Sequence, residues 1–241
     1  MGLETCNPAT LNFELETRNM KPEPPSAIEI FTRLHNFFGA VDWRPPLSAM
    51  DELVSTILSQ STTDLNRDRA FERLKTRFGT WEAVRDGDVA EIEDAIRVAG
   101  LAKQKAPRIK AALQFITEQR GELTLDFLRD MPPAEARAWL TQMKGVGIKT
   151  ASIILLFALD MPAFPVDTHV HRTTGRIGLI PPKTSAEKAH HILEAALPPE
   201  TYLEAHLQFI RLGREICHAR KPNCPACPLR DVCRFAKETL T

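Results

Sequence analysis

Apolar residues recur along this chain at helical spacing, and strict alternation is scarce. Leu53, Val54, Ile57 and Leu58 trace one stripe; Ile109, Leu113 and Ile116 trace another. Start and stop residues bracket the stripes. Ser26 with Glu29 makes a capping box closed by Gly39, Ser48 with Asp51 opens a second helix, and an apolar pattern over Leu65–Phe78 stops at Gly79. Thr80 opens a short helix, and Asp88 with Glu91 opens another that ends near Gly100. Further helices are predicted over Ala106–Arg120, before Gly121, and over Ala134–Met143, after Pro132 and Pro133. Ala151–Leu159 is apolar nearly all round, the mark of a helix at the centre of a bundle. Asp167 reads as the N-cap of a helix ending near Gly175 or Gly178, and Ser185–Leu197 and Tyr202–Cys217 supply two more. The expected fold class is all-α, with about ten helices.

The 241 residues are 43% hydrophobic and 26% charged, enough apolar material for a real core and too much for a disordered chain. The longest apolar run, Ile153–Leu159, is too short to cross a bilayer, and the polar, net acidic first 30 residues do not resemble a secretory signal. An intracellular location is expected, cytoplasmic and nucleoid-associated in a bacterium. Residues 1–25 read as a loose tail containing Cys6. Lys plus Arg equals Asp plus Glu at 31 each, which excludes a uniformly basic coat. The charge is regional instead. Residues 103–120 and 211–241 are each net +4, while residues 82–94 are net −5 and residues 1–30 net −3. Any polyanion would meet one basic face, with the acidic segments turned away.

Four of the five cysteines crowd the C-terminal end as Cys217-x6-Cys224-x2-Cys227-x5-Cys233. Four soft thiolates so close together point to a metal centre rather than to disulfides. Zinc and iron–sulfur both accept four thiolates. Zinc sites usually show two close pairs, and here only one close pair exists, so one segment wrapped around a [4Fe–4S] cluster fits better. Arg220 and Lys221, beside Pro222, present two cations from the same loop to phosphate or to solvent.

Residues 143–150 read Met-Lys-Gly-Val-Gly-Ile-Lys-Thr. Gly145 and Gly147, around Val146, permit positive φ and close backbone approach, and the following helix start offers free N–H groups to a phosphate. As a fragment this is equally an ordinary helix–helix turn. Lys149 stands in the first helical turn, where the dipole opposes a cation and lowers its pKa; a neutral amine there is a nucleophile able to form a Schiff base. A solvated surface lysine is the plainer alternative. Asp167 serves as an N-cap, and a pinned, ionised carboxylate also stabilises positive charge developing on a sugar. Asp167 with His169 and His171 is a second conceivable metal set; His190, His191, His206 and His218 show no ligand spacing.

Together, Gly145-Val146-Gly147-Ile148-Lys149-Thr150, Val166-Asp167-Thr168-His169 and the cysteine spacing resemble the endonuclease III family of DNA glycosylases, in the helix-hairpin-helix–Gly/Pro–Asp superfamily. Ile57–Asp64 is similar to the family's helix end that faces the void in DNA. The resemblance runs over roughly residues 30–237. It implies two all-α domains with DNA in the cleft between them: a six-helix barrel domain with the helix-hairpin-helix over residues 47–161, and an iron–sulfur cluster domain over residues 26–46 and 162–241. It implies Lys149 as nucleophile and Asp167 as catalytic carboxylate, hence a bifunctional glycosylase and AP lyase. Relatives specific for adenine commonly carry Ser at the lysine position, and thymine-mismatch relatives Tyr. The cluster is implied to be structural, and Gly145, Val146, Gly147, Arg220 and Lys221 to contact DNA. Ser61 would stand at the void-filling place with Gln60, a further DNA contact, just before it, and Leu101 would be the opposing wedge. The implied partner is double-stranded DNA with damaged bases, oxidised pyrimidines foremost, or abasic sites, bound by a monomer in base excision repair.

This chain departs from the family pattern in three places. Met143-Lys144 stands where Leu-Pro is usual, Ser61 occupies the place of the void-filling glutamine, and the segment between Gly121 and Gly145 is longer. These differences bear on base preference. Two alternatives stand beside the main reading: a noncatalytic DNA-binding module with a structural cluster, and a glycosylase for another lesion, such as an abasic site, a mismatched base or a methylated cytosine. Lys149 together with Asp167 favours an enzyme.

Overall fold

The computed structural model describes residues 25–41 and 46–239, and among them every regular element is helical. The expected tail over residues 1–25, with Cys6, lies outside the described residues except for Pro25. Twelve α-helices follow in order: α1 Ala27–Phe38, α2 Ala49–Ser59, α3 Asp64–Phe78, α4 Trp81–Asp86, α5 Val89–Ile96, α6 Ala102–Arg120, α7 Pro133–Leu140, α8 Ile148–Ile153, α9 Thr168–Ile177, α10 Ala186–Ala196, α11 Tyr202–Glu215 and α12 Arg234–Thr239. The predicted helix-start residues do their work, and Thr63, for which no cap was predicted, joins them. Ser26, Ser48, Thr63, Thr80 and Ser185 each accept a hydrogen bond from the backbone N–H three residues on, satisfying a donor that the first turn leaves open.

Boundaries differ from expectation where local chemistry competes. Helix α6 starts at Ala102, four residues early, and runs through Pro107, whose exposed place in the second turn forfeits one backbone hydrogen bond. Helix α7 stops at Leu140 rather than Met143, because Met143 and Val146 turn inward to donate to Leu140 O (3.2 Å) and Met143 O (3.0 Å). Helix α12 was not anticipated; it offers little apolar pattern and is held by buried Ala236.

Buried apolar side chains form two clusters. The first gathers residues between Ala49 and Ala163, among them Leu53, Ile92, Ile109 and Leu140. The second joins Ala27, Ile30 and Leu34 to residues between Leu156 and Ala236. The apolar segment after Lys149 belongs to both. Leu155, Ala158 and Leu159 enter the first cluster, whereas Leu156 and Phe157 enter the second. That double burial is the reason it is apolar all round. Here the helix widens into a π turn over Ile154–Ala158, with Leu159 N donating to Ile154 O at 3.2 Å. Arg129 closes its end by donating to the carbonyls of Ala158 and Leu159. No helix among the described residues is long and apolar enough to cross a membrane.

Candidate active site

The turn between α7 and α8 is built on Gly145. Its φ of 91° is a region that L side chains rarely adopt, and a Cβ there would come within 2.9 Å of Arg108 Cδ. Gly147 differs from the sequence expectation. Its backbone is extended, and a Cβ would meet nothing within the protein, so the protein's own packing makes no demand for glycine there. Gly147 is the N-cap of α8 and offers no side-chain cap, which leaves the first N–H groups of the helix without an intramolecular side-chain acceptor. Val146 between them is buried, and Lys144 is exposed.

Lys149 is the second residue of α8 and is half-buried. Burial holds its amine below the ordinary lysine range. The carboxylates of Asp167, Glu52 and Asp64 pull the other way, and Arg67 adds to the fall. Desolvation is therefore the leading cause, where sequence reasoning invoked the helix dipole. Glu52 and Arg67 went unnoticed in the sequence. Their signal was slight, a carboxylate on the apolar face of α2 that is only 4% exposed.

Asp167 caps α9: its Oδ1 accepts from Val170 N at 2.7 Å. The extended segment leading to it, residues 163–166, is buried and held by side chains from two helices. Phe164 N donates to Glu194 Oε1 at 2.9 Å, and His190 Nδ1 meets Phe164 O at 2.8 Å. His206 Nδ1 meets Pro165 O at 2.9 Å. A carbonyl only accepts, so both imidazoles carry their proton on Nδ1. Burial pushes the His206 pKa down to about 4, with Asp167 opposing the fall and Lys149 assisting it. This neutral ring thus lies in the field of both residues. In the sequence His190 and His206 show only that they lack ligand spacing. They are core histidines with a defined task, and their legible signal was a polar residue on the apolar face of a helix. Glu194 in turn pairs through both oxygens with Arg137 of α7, an ion pair joining the two clusters. The set Asp167, His169 and His171 does not converge: His169 meets Arg172, and His171 Nε2 meets Thr184 O at 2.8 Å.

Three of the residues expected to face DNA share a backbone signature. Ser61, Leu101 and Lys221 have φ of 54°, 51° and 50°, three of only five described non-glycine residues with positive φ. Strained backbone of this kind concentrates at functional sites. Leu101 is also 48% exposed. Gln60 has a different place. Its Nε2 donates to Gly145 O at 3.2 Å and its Oε1 accepts from Arg108 Nη1 at 3.2 Å, so it braces the hairpin. Arg220 is exposed on the cysteine loop beside Lys221.

Cys217, Cys224, Cys227 and Cys233 line one cavity, walled by Ile177, Leu212, Ile216 and Phe235. Four thiols around one cavity are the donor set that an iron–sulfur cluster takes. Burial raises the Cys227 thiol to about 11, so cluster assembly must displace its proton. Arg176 ties the loop: it donates to Cys217 Sγ at 3.3 Å, His218 O at 2.7 Å and Ala219 O at 3.0 Å.

Comparison with known proteins agrees with this geometry. Residues 54–199 match the HhH-GPD superfamily of base excision DNA repair proteins, and residues 217–233 match the iron–sulfur binding domain of endonuclease III. An Arabidopsis thaliana protein named as a putative DNA glycosylase is 38% identical over 73% of this chain and 60% of its own length. Several longer plant relatives are matched over only about a tenth of their length. Endonuclease III of Sulfolobus acidocaldarius is 34% identical over 78% of this chain and 82% of its own. The structure of a trapped endonuclease III–DNA covalent intermediate superimposes with a TM-score of 0.77 at 28% identity, over 90% of this chain and 100% of that one. The cysteine loop therefore holds a [4Fe–4S] cluster, and the chain belongs to the endonuclease III family of the HhH-GPD base excision repair superfamily.

Proposed function

We propose that the protein is a bifunctional DNA glycosylase and AP lyase that removes damaged pyrimidines, oxidised ones foremost, from duplex DNA. The observation that carries this reading is Lys149, an amine disfavoured as a cation by its own burial and faced by the capping carboxylate Asp167. The nucleotide is flipped out of the stack. Lys149 Nζ attacks C1′, the C1′–N bond breaks, and the departing base takes up a proton. The sugar ring opens to a Schiff base, loss of the C2′ proton follows, and the 3′ phosphate is expelled. Asp167 stabilises positive charge on the sugar and receives or returns the proton of the amine. The two apolar clusters, divided near residues 46 and 161, are the two lobes around the DNA. The positive-φ residues Ser61, Leu101 and Lys221 face it. The cluster supports the loop that presents Arg220 and Lys221 and has no part in bond breaking. The chain acts as a monomer.

Borohydride trapping on duplexes holding thymine glycol or an abasic site tests this. A covalent adduct that disappears in Lys149→Ala is expected. Absence of adduct with both substrates overturns the lyase reading and leaves a glycosylase for another lesion or a noncatalytic DNA-binding module.

A further inference from the structure

Lys105, in the first turn of α6, is among the largest fully buried side chains of the described residues, at 1% exposure. An enclosed ammonium needs either a carboxylate or carbonyl dipoles aimed at it. Carbonyls hold this one: Nζ donates to Leu58 O at 2.8 Å and to Ala99 O at 2.9 Å. The two acceptors belong to different elements, the last turn of α2 and the 3₁₀ turn Arg97–Ala99 that precedes α6. Each lies two or three residues before a residue of left-handed backbone, Ser61 on one side and Leu101 on the other. Leu101 is a branched apolar residue that is both left-handed and 48% exposed, and the protein's own packing explains neither property. Its carbonyl accepts from Lys105 N at 2.9 Å, so the lysine anchors that loop through main chain and side chain alike. One turn further along α6, Arg108 reaches Gln60 and packs on Gly145.

We propose that Lys105 is a positioning residue: by holding the carbonyls of Leu58 and Ala99 on one ammonium, it sets the separation of loops 59–62 and 100–101, so that Ser61 and Leu101 enter a DNA void as one rigid pair. This rests on the DNA glycosylase and lyase reading. A wedge in a base stack must not yield, and a surface loop by itself is soft. Breaking this clamp strands a charge in the core, which makes it stiff. The ordering is completed on folding rather than at binding, which is what preorganisation requires.

The test compares borohydride trapping of Lys105→Met with wild type on an abasic site in a duplex and on the same site in a single strand, which has no stack to wedge. Trapping on the duplex is expected to fall about tenfold or more, and on the single strand less than about threefold. Adding Leu101→Ala to Lys105→Met is expected to lower duplex trapping little further, since both act on one wedge. Equal losses on the two substrates, or fully additive losses, overturn the proposal. Absence of adduct from wild type on both substrates strikes the lyase reading instead. The cluster's visible absorption reports folding, and Lys105→Gln, which keeps a donor to one carbonyl, replaces the methionine variant if that fails to fold. Hydrogen exchange on the wild-type protein needs neither variant nor activity. Residues 59–62 and 100–102 are expected to open with one common protection, and clearly different protection in the two segments overturns the clamp.

Discussion

The pair Arg137–Glu194 joins the two apolar clusters and also holds the segment leading to Asp167. The two side chains are 11% and 18% exposed, and Glu194 Oε1 also accepts from Phe164 N. Glu194→Gln keeps an oxygen for that N–H and removes the charge facing the guanidinium. Removing one partner of a buried pair destabilises by about 3–5 kcal/mol. The retained amide offsets part of this, so a loss of about 2–3 kcal/mol is expected. Glu194→Ala also strands Phe164 N–H, adding about 1–3 kcal/mol. The sum approaches the whole stability of an ordinary domain, about 5–15 kcal/mol. The assay is urea unfolding, comparing midpoints at matched m-values with the cluster intact. The decisive measurement is the double variant Arg137→Met with Glu194→Gln, which removes the charge from both sides and keeps the oxygen that Phe164 needs. Arg137 Nε has no hydrogen-bond partner, so little else is lost with it. Recovery to within about 1 kcal/mol of wild type is expected. A double variant as unstable as the sum of the singles would refute the reasoning, as would a Glu194→Gln midpoint equal to wild type.

Other outcomes are expected from the site. Adduct formation should rise with pH through an apparent pKa below that of an ordinary lysine, and Asp167→Asn should move that midpoint lower still while reducing the maximal rate; a midpoint near 10.4 would contradict the desolvated amine. Since His206 has a folded pKa of about 4 against an ordinary 6.5, the unfolded chain binds the extra proton between those values, so stability should decline as pH falls from 6.5 toward 4. A His206→Gln variant with the same acid slope in its unfolding midpoint would exclude that residue as the cause. Gly145→Ala should lower stability by about 1–2 kcal/mol, whereas Gly147→Ala should leave the melting temperature unchanged and weaken DNA binding; equal melting losses would show that Gly147 is also structurally required. Arg176→Met should speed bleaching of the cluster absorption, and unchanged bleaching would remove Arg176 from the support of the loop.

Much of the helical order was legible because caps act over three residues. Ser26, Ser48, Thr80 and Ser185 bond to backbone groups that adjacent sequence identifies. The cysteine spacing was legible for the same reason. What escaped depends on distant pairings. Lys105 reads as one more cation in a basic helix until Leu58 and Ala99 are seen to surround it. His190 and His206 acquire a role only when residues 164 and 165 pass beside them. Gly147 was legible as glycine but not in its reason, since nothing within the protein crowds it. Gln60 was read as a DNA contact next to the void-filling place, and the bonds to Gly145 and Arg108 that it makes within the protein depend on a pairing across 85 and 48 residues of chain.

The helix that carries Lys149, passing from α8 into its π turn, is the common property of both apolar clusters, and this governs how the protein can come apart. A cut near residue 161 would leave this helix in the first fragment with Leu156 and Phe157 uncovered, and the second fragment without the face that packs on them, so neither half is a separable folding unit. Exchanging either apolar cluster for that of a relative is therefore expected to lower the unfolding midpoint unless the segment 148–159 is exchanged with both, because that segment is the axle on which Lys149 is mounted.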